Sequence, residues 1–231
     1  STPNINKDGT WRDLTKQKNS SSDISPTAGQ MPRLLGLAYA SKLFRQNREL
    51  HTFTTLSLKG NEVAFGSIGD ASTSEGHFWE TINAAGVLQV PMAISVYDDG
   101  YGISVPKKYQ TTKGNISDIL KGFEEEPGRP GYKILKGKGW DYAGLIKLYE
   151  EGIEICRRDH VPVLFHIEEV TQPLGHSTSG SHERYKSPER LKWEEEFDPI
   201  RKMREWIMDQ EIATAEELDK VAADTEAEAK E

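Results

Sequence analysis

Two short apolar runs, EVAFGSIGD at 62–70 and PMAISVYDD at 91–99, flank the segment SEGHFWETINAAGVLQ. In that segment Phe78, Ile82, Ala85 and Val87/Leu88 recur at helical spacing. Neither run alternates polar with apolar residues, so each reads as a strand covered on both faces, as parallel strands are. A strand–helix–strand unit of this length closes with a right-handed crossover, which makes the two strands parallel neighbours. YKILKG at 132–137 and VPVLFHIEEVT at 161–171 read as a third and a fourth strand. Asp141 caps the helix between them, which runs to about Asp159. An apolar stripe through Leu34, Leu35, Leu37, Leu43 and Phe44 predicts an earlier helix over 27–47, with Pro26 and Pro32 near its start. This alternation specifies an α/β layered domain with a mainly parallel sheet.

The first 22 residues are polar and read as a loop rather than a domain's own start, so the chain is expected to begin partway through a fold. A long loop follows the second strand, then a small helix near 116–122 and the turn EEEPGRPG. The segment TQPLGHSTSGSHERYKS is too polar for core. Helices then run to the end, marked by Pro199 behind Asp198 and by the capping box Thr214-x-x-Glu217. With 231 residues, at roughly 150 per domain, one large domain or two small ones are expected. We divide the chain into an α/β domain over 1–188 and a helical extension of it over 189–231.

Hydrophobic residues at 35%, with five Trp, seven Phe and eight Tyr, exclude global disorder. A mean hydropathy of −0.65 and the absence of an apolar run near the roughly 20 residues of a bilayer span predict a soluble chain with no membrane partner. No signal peptide is recognisable. The single cysteine, Cys156, excludes an internal disulfide and a multi-cysteine metal site, and a reducing compartment is the simplest reading. The net charge of −8 argues against a nucleic-acid partner. The excess lies in the tail: residues 189–231 carry 15 acidic and 7 basic side chains, and the first 188 carry 22 of each. The tail therefore reads as a solvated helical face.

Ligands of such sheets bind beyond the carboxyl ends of the strands. Asp70 ends one strand and Asp98-Asp99 end the next, one crossover later, so the carboxylates should lie side by side. Unpaired, they repel and raise one another's pKa. A hard divalent cation such as Mg²⁺, completed by phosphate oxygens at the helix start near 72–74, resolves the conflict. The alternative is that one Asp caps the helix and the others form a turn, and spacing alone leaves both open. No dinucleotide or P-loop glycine motif follows a strand, and no Gly-x-Ser-x-Gly elbow exists. His51, His77, His160, His166 and His182 read as surface or structural. His176, in a polar loop beyond a strand's carboxyl end, is the catalytic candidate.

The stretch GDASTSEGHFWETINAAGVLQVPMAISVYDDGYGISVP resembles the thiamine diphosphate motif of the E1 component of 2-oxo acid dehydrogenase complexes. ISPTAGQMPRLLGLAYASK resembles the helix before that motif, GHSTSGSHERYK its His-Ser loop, and DPIRKMREWI with TAEELDKV its C-terminal helices. The likeness covers nearly all of 22–231 and is strongest to α-type chains or halves of branched-chain enzymes. It implies a three-layer α/β/α thiamine diphosphate fold. It implies Mg²⁺ bound by Asp70, Asp99 and the Tyr101 carbonyl. Ala71, Ser72 and Gly102 fall at cofactor-binding positions, with Ser25 and Thr27 lining the cleft. His176 falls where the loop histidine contacts the diphosphate and faces the reacting centre. Ser177 matches the serine phosphorylated in mitochondrial relatives.

The resemblance also implies the reaction, oxidative decarboxylation of a 2-oxo acid, branched-chain by the strongest likeness, and acyl transfer to lipoyl-bearing E2. It implies a β-type chain or half that supplies the catalytic glutamate, in a heterotetramer or a homodimer of fused chains, and a bacterial cytoplasmic or mitochondrial matrix location. This chain alone should be inactive. Alternatives are a pyruvate or acetoin dehydrogenase E1, a transketolase-like enzyme, or a non-catalytic assembly protein with the same fold. The chain departs from the pattern at several places. Asp98-Asp99 replaces Asn-Asn, Ala71 replaces a glycine, and Gln172-Pro173 replaces Tyr-Arg. Gly180 replaces an aspartate, and Ile24 and Gly29 replace hydroxyl residues of a monovalent-cation site. Ala71 is expected to lose the left-handed backbone freedom of glycine, and the Asp98-Asp99 pair to add charge beside a diphosphate.

Overall fold

The strand β1 (Ala64–Gly69) pairs in parallel with β2 (Met92–Tyr97), in the register Ala64 to Met92 through Gly69 to Tyr97. In the computed structural model, which describes residues 2–22, 24–177 and 182–230, these are the first two of six strands. The departure at Gly180 lies outside the described residues, with the rest of 178–181. β3 (Tyr101–Gly102) and β4 (Val105–Pro106) form a small antiparallel hairpin. β5 (Lys133–Lys138) and β6 (Val163–Glu168) complete a four-stranded parallel sheet in the order β1-β2-β6-β5.

The inner strands β2 and β6 are buried along almost their whole length, which is why both read as apolar runs without alternation. β1 differs from its expected burial. It is an edge strand among those described, and Phe65 on it remains 49% exposed. The other edge, β5, carries Lys133, Lys136 and Lys138, charges that discourage further strand pairing.

Helices cover both faces of the sheet, giving three layers. α1 (Met31–Gln46) and α2 (Gly76–Leu88) lie on one face, where Met31, Leu34, Phe78 and Ile82 pack with Ile94, Val96 and Leu164. On the other face Cys156 of α4 (Tyr142–Asp159) meets Ala93, Phe165 and Ile167. Successive strand residues point to opposite layers, so Ile94 and Val96 serve the first core while Ala93 serves the second. Truncating the fully buried Phe78 to alanine would cost about 3–5 kcal/mol.

α1 starts at Met31, four residues after the expected Thr27. Ala28, buried with φ 59°, turns the chain through the left-handed region, so the helix begins only beyond it, with Pro32 in its first turn. The expected loop after β2 holds the β3–β4 hairpin, whose two-residue strands are too short to leave a periodic signal. α3 (Ile116–Ile119) matches the small helix. Asp141 caps α4 by accepting from the Gly144 N–H at 2.9 Å. The chain closes with α5 (Pro188–Glu196), α6 (Pro199–Asp209) and α7 (Ala215–Glu228), the last opened by the full Thr214–Glu217 capping box. No helix of the described residues is long and apolar enough to cross a membrane.

Candidate cofactor site

Backbone pairing continues past the strands and draws the acidic residues together. The Asp70 N–H donates to the Tyr97 carbonyl at 2.9 Å, and the Asp98 N–H to that of Ile167 at 2.8 Å. Asp70 is 5% exposed, and its Oδ2 has no hydrogen-bond partner among the described residues. Burial, followed by the charges of Asp98 and Asp99, pushes its pKa up to about 7. Burial also raises Asp99, with Oδ1 taking the Tyr101 N–H at 3.0 Å and the Lys186 charge acting in the opposite direction.

Asp98 is satisfied where Asp70 is not. Its Oδ2 accepts from Lys107 Nζ at 2.7 Å and lies 3.0 Å from His166 Nε2, while Oδ1 accepts the Gly100 N–H at 3.0 Å. Burial opposes its charge, but the hydrogen bonds and charges of His166 and Lys107 outweigh burial and hold the carboxyl below the usual range. Of the extra negative charge expected from Asp98-Asp99, the Asp98 part is thus compensated within the protein. Behind it His166 is fully buried, with Nδ1 2.8 Å from Ser117 Oγ. Ser117 donates to Asn115 Oδ1 at 2.8 Å, and Asn115 Nδ2 to Glu168 Oε1 at 2.9 Å.

Residues 71–74 form a 3₁₀ turn leading to α2. Ala71 does not appear among the residues with positive φ, so the position needs no glycine and its loss of left-handed freedom has no cost here. Gly102, by contrast, sits directly on it. A Cβ at Gly102 would lie 2.8 Å from the Ala71 Cβ and overlap the Gln110 side chain.

A cleft of about 320 Å³ opens between the 24–30 turn and the end of β1, with Ser25, Thr27, Ser72, Gly69 and Tyr97 on its walls. Its volume is at the low end for a small-molecule site. His176 lies elsewhere, in a pocket of about 190 Å³ shared with Ile103, Ser104, Ser177, His182 and Tyr185. The structure therefore groups Ser25, Thr27 and Ser72 in one cleft, Asp70 and Asp99 at the adjacent strand ends, and Ala71 against Gly102. It does not bring His176 into the first cleft.

Sequence reasoning missed the supports of the β2 turn. Arg190 Nη2 donates to the Asp99 carbonyl at 2.7 Å, and its Nε to Glu194 Oε1 at 2.7 Å. Lys186 Nζ reaches both oxygens of Glu194, at 2.8 and 2.7 Å. The tail read as a solvated face, yet Glu194 is 1% exposed because two cations accompany it inward. The i,i+4 spacing of Arg190 and Glu194 was the available signal, and an exposed helix pair shows the same spacing.

Asp70 and Asp99 offer carboxylate oxygens and Tyr101 a carbonyl, an all-oxygen donor set suited to a hard cation. The unpartnered Asp70 oxygen fits such an ion. Among the described residues no three carboxylate, imidazole or thiol groups converge as a ready-made metal site, and the proposed set has only two such side chains.

Residues 7–231 match the family model described as the dehydrogenase E1 component. The chain is 26% identical over 214 residues to the mouse mitochondrial 2-oxoisovalerate dehydrogenase subunit alpha, covering 90% of this chain and 43% of that one. It is 28% identical over 177 residues to the Bacillus subtilis 2-oxoisovalerate dehydrogenase subunit alpha, covering 76% and 47%. The Mycobacterium tuberculosis 3-methyl-2-oxobutanoate dehydrogenase subunit alpha is 31% identical over 154 residues, covering 66% and 40%. The chain spans less than half the length of these relatives. With strand-end carboxylates, a cleft beside them and a family match over almost its whole length, the chain belongs to the dehydrogenase E1 component family.

Proposed function

We propose that this chain is the cofactor-binding α-type part of an E1 that oxidatively decarboxylates a branched-chain 2-oxo acid and passes the acyl group to lipoyl-bearing E2. The observation that carries this reading is Asp70, a buried carboxylate with one oxygen unpartnered among the described residues and a pKa pushed up to about 7, beside Asp99 at the ends of adjacent parallel strands. Asp70, Asp99 and the Tyr101 carbonyl would hold Mg²⁺. Ser25, Thr27, Ala71, Ser72 and Gly102 would hold the thiamine diphosphate. When bound, that cofactor supplies the carbanion on which decarboxylation depends.

The chain's own residues bind, orient and move protons. Asp70 and Asp99 would supply the negative charge that holds the cation and, through it, the diphosphate. The hydroxyls of Ser25, Thr27 and Ser72, which line the cleft, would donate toward phosphate oxygens. His176, which here lines a separate pocket, would by the family resemblance hold a proton on one ring nitrogen and exchange it at the reacting centre through the other. A β-type chain or half supplies the glutamate absent here, in a heterotetramer or a homodimer of fused chains, located in the bacterial cytoplasm or the mitochondrial matrix.

Calorimetric titration of the assembled full-length protein with thiamine diphosphate, with and without Mg²⁺, tests the site. Binding that requires Mg²⁺ and disappears in Asp70→Ala is expected, and Mg²⁺-independent binding overturns the reading. Turnover of branched 2-oxo acids over pyruvate and acetoin is expected, and the opposite preference overturns the substrate assignment.

A further inference from the structure

Arg190 joins two parts of the molecule that lie 91 positions apart in the chain. From α5 it reaches the Asp99 carbonyl with Nη2 while its Nε stays on Glu194, each at 2.7 Å. Glu194 is buried and shared with the buried Lys186, whose ammonium lies 5.5 Å from the Tyr101 ring centre. The Arg190 guanidinium lies 5.6 Å from the same ring. Two cations therefore share one buried carboxylate, and both rest on Tyr101. The Lys186–Glu194 pair joins α5 only to the residues just before it. Arg190, with its side chain 27% exposed, does something more: it fixes the peptide that follows Asp99. The planar fork of a guanidinium can hold a carboxylate and a carbonyl at once, which a single ammonium on a flexible stem does poorly.

We propose that Arg190 is a positioning residue for the metal, oriented by Glu194 and holding the 99–101 turn so that the Asp99 carboxylate and the Tyr101 carbonyl face the cation together. The proposal rests on the functional reading above and extends it to a residue that touches neither metal nor cofactor. It also makes α5, which follows the His176 loop, a brace for the metal turn.

The test is calorimetric titration of thiamine diphosphate into the full-length assembled protein at a series of Mg²⁺ concentrations. Arg190→Lys keeps a charge beside Glu194 but cannot span to the carbonyl, and Arg190→Met removes both contacts. Loss of a group that orients metal ligands typically weakens metal affinity about 10–100-fold. The Mg²⁺ half-saturation should rise by that factor in both variants, and cofactor affinity should recover at saturating Mg²⁺. The metal-free melting temperature of Arg190→Lys should fall by only about 2–4 °C, as for one lost hydrogen bond. An unchanged Mg²⁺ half-saturation in Arg190→Lys overturns the proposal, whether or not Arg190→Met folds. A loss of affinity that excess Mg²⁺ leaves unrepaired also overturns it, because that pattern marks a purely structural brace. Wild-type protein that binds the cofactor without Mg²⁺, or not at all, defeats the functional reading first and this proposal with it.

Discussion

Lys107 Nζ and Asp98 Oδ2 lie 2.7 Å apart across the hairpin that follows β2, and Asp98 is 3% exposed. An asparagine, as the resembled motif carries at this position, would bring no charge. Here the ammonium, together with His166, lets an aspartate occupy it.

Lys107→Met should therefore destabilise the protein by about 1–3 kcal/mol, because it strips a partner from a buried carboxylate. Adding Asp98→Asn should recover most of that loss, since the unpaired charge is then gone. Urea midpoints of the two single variants and the double variant measure the coupling. Strictly additive effects would mean that the pair contributes nothing of its own.

Asp70 should show the reverse sign. Burial and two neighbouring carboxylates disfavour its charge in the metal-free protein. Asp70→Asn should raise the metal-free melting temperature at pH 8 by about 2–4 °C for each kcal/mol of relieved repulsion, while abolishing Mg²⁺-dependent cofactor binding. A lower melting temperature in this variant would show that Asp70 is already stabilised without a cation.

Replacing His176 with alanine should slow acyl transfer to lipoyl-E2 by about 10²–10⁴-fold, the usual loss for a general acid–base group. Cofactor affinity should fall far less. Single-turnover kinetics at saturating thiamine diphosphate separate the two effects. Recovery to near the wild-type rate under those conditions would reduce His176 to a loop-ordering residue.

His160 provides a pH dependence remote from the site. It closes α4 with φ 55°, and its Nε2 lies 3.1 Å from the Gly60 carbonyl oxygen. Burial first, then the Arg45 charge, hold its pKa below the ordinary histidine value. The unfolded chain thus binds this proton more readily than the folded one. The stabilisation is present above about pH 6.5 and is lost as pH falls through the folded pKa. His160→Asn keeps a residue tolerant of left-handed backbone and removes the titration. Its unfolding midpoint should fall less than the wild-type midpoint between pH 7 and 5, and parallel curves would contradict the assignment.

Legibility in the sequence follows the range of the interactions. The parallel strands, the helices between them, the Asp141 cap and the Thr214–Glu217 box depend on residues a few positions apart, so periodicity and capping chemistry expose them. The approach of Asp70 to Asp99 was also accessible, because a single right-handed crossover leaves adjacent parallel strands few ways to end. The kink at Ala28 was hidden, since alanine carries no sign of a positive φ.

By itself, the sequence determined the layered α/β architecture, the strand ends where chemistry collects and the carboxylates placed there. Tertiary structure alone decided which charges are neutralised and which are left open. Asp98 finds Lys107 and His166, 9 and 68 positions away, and Glu194 is buried between Lys186 and Arg190, whereas one oxygen of Asp70 finds no partner among the described residues. Hydrophobic periodicity reports which face of an element turns inward. It is silent on which polar side chains from distant elements meet, and in a low-dielectric interior those meetings set the charge of the site.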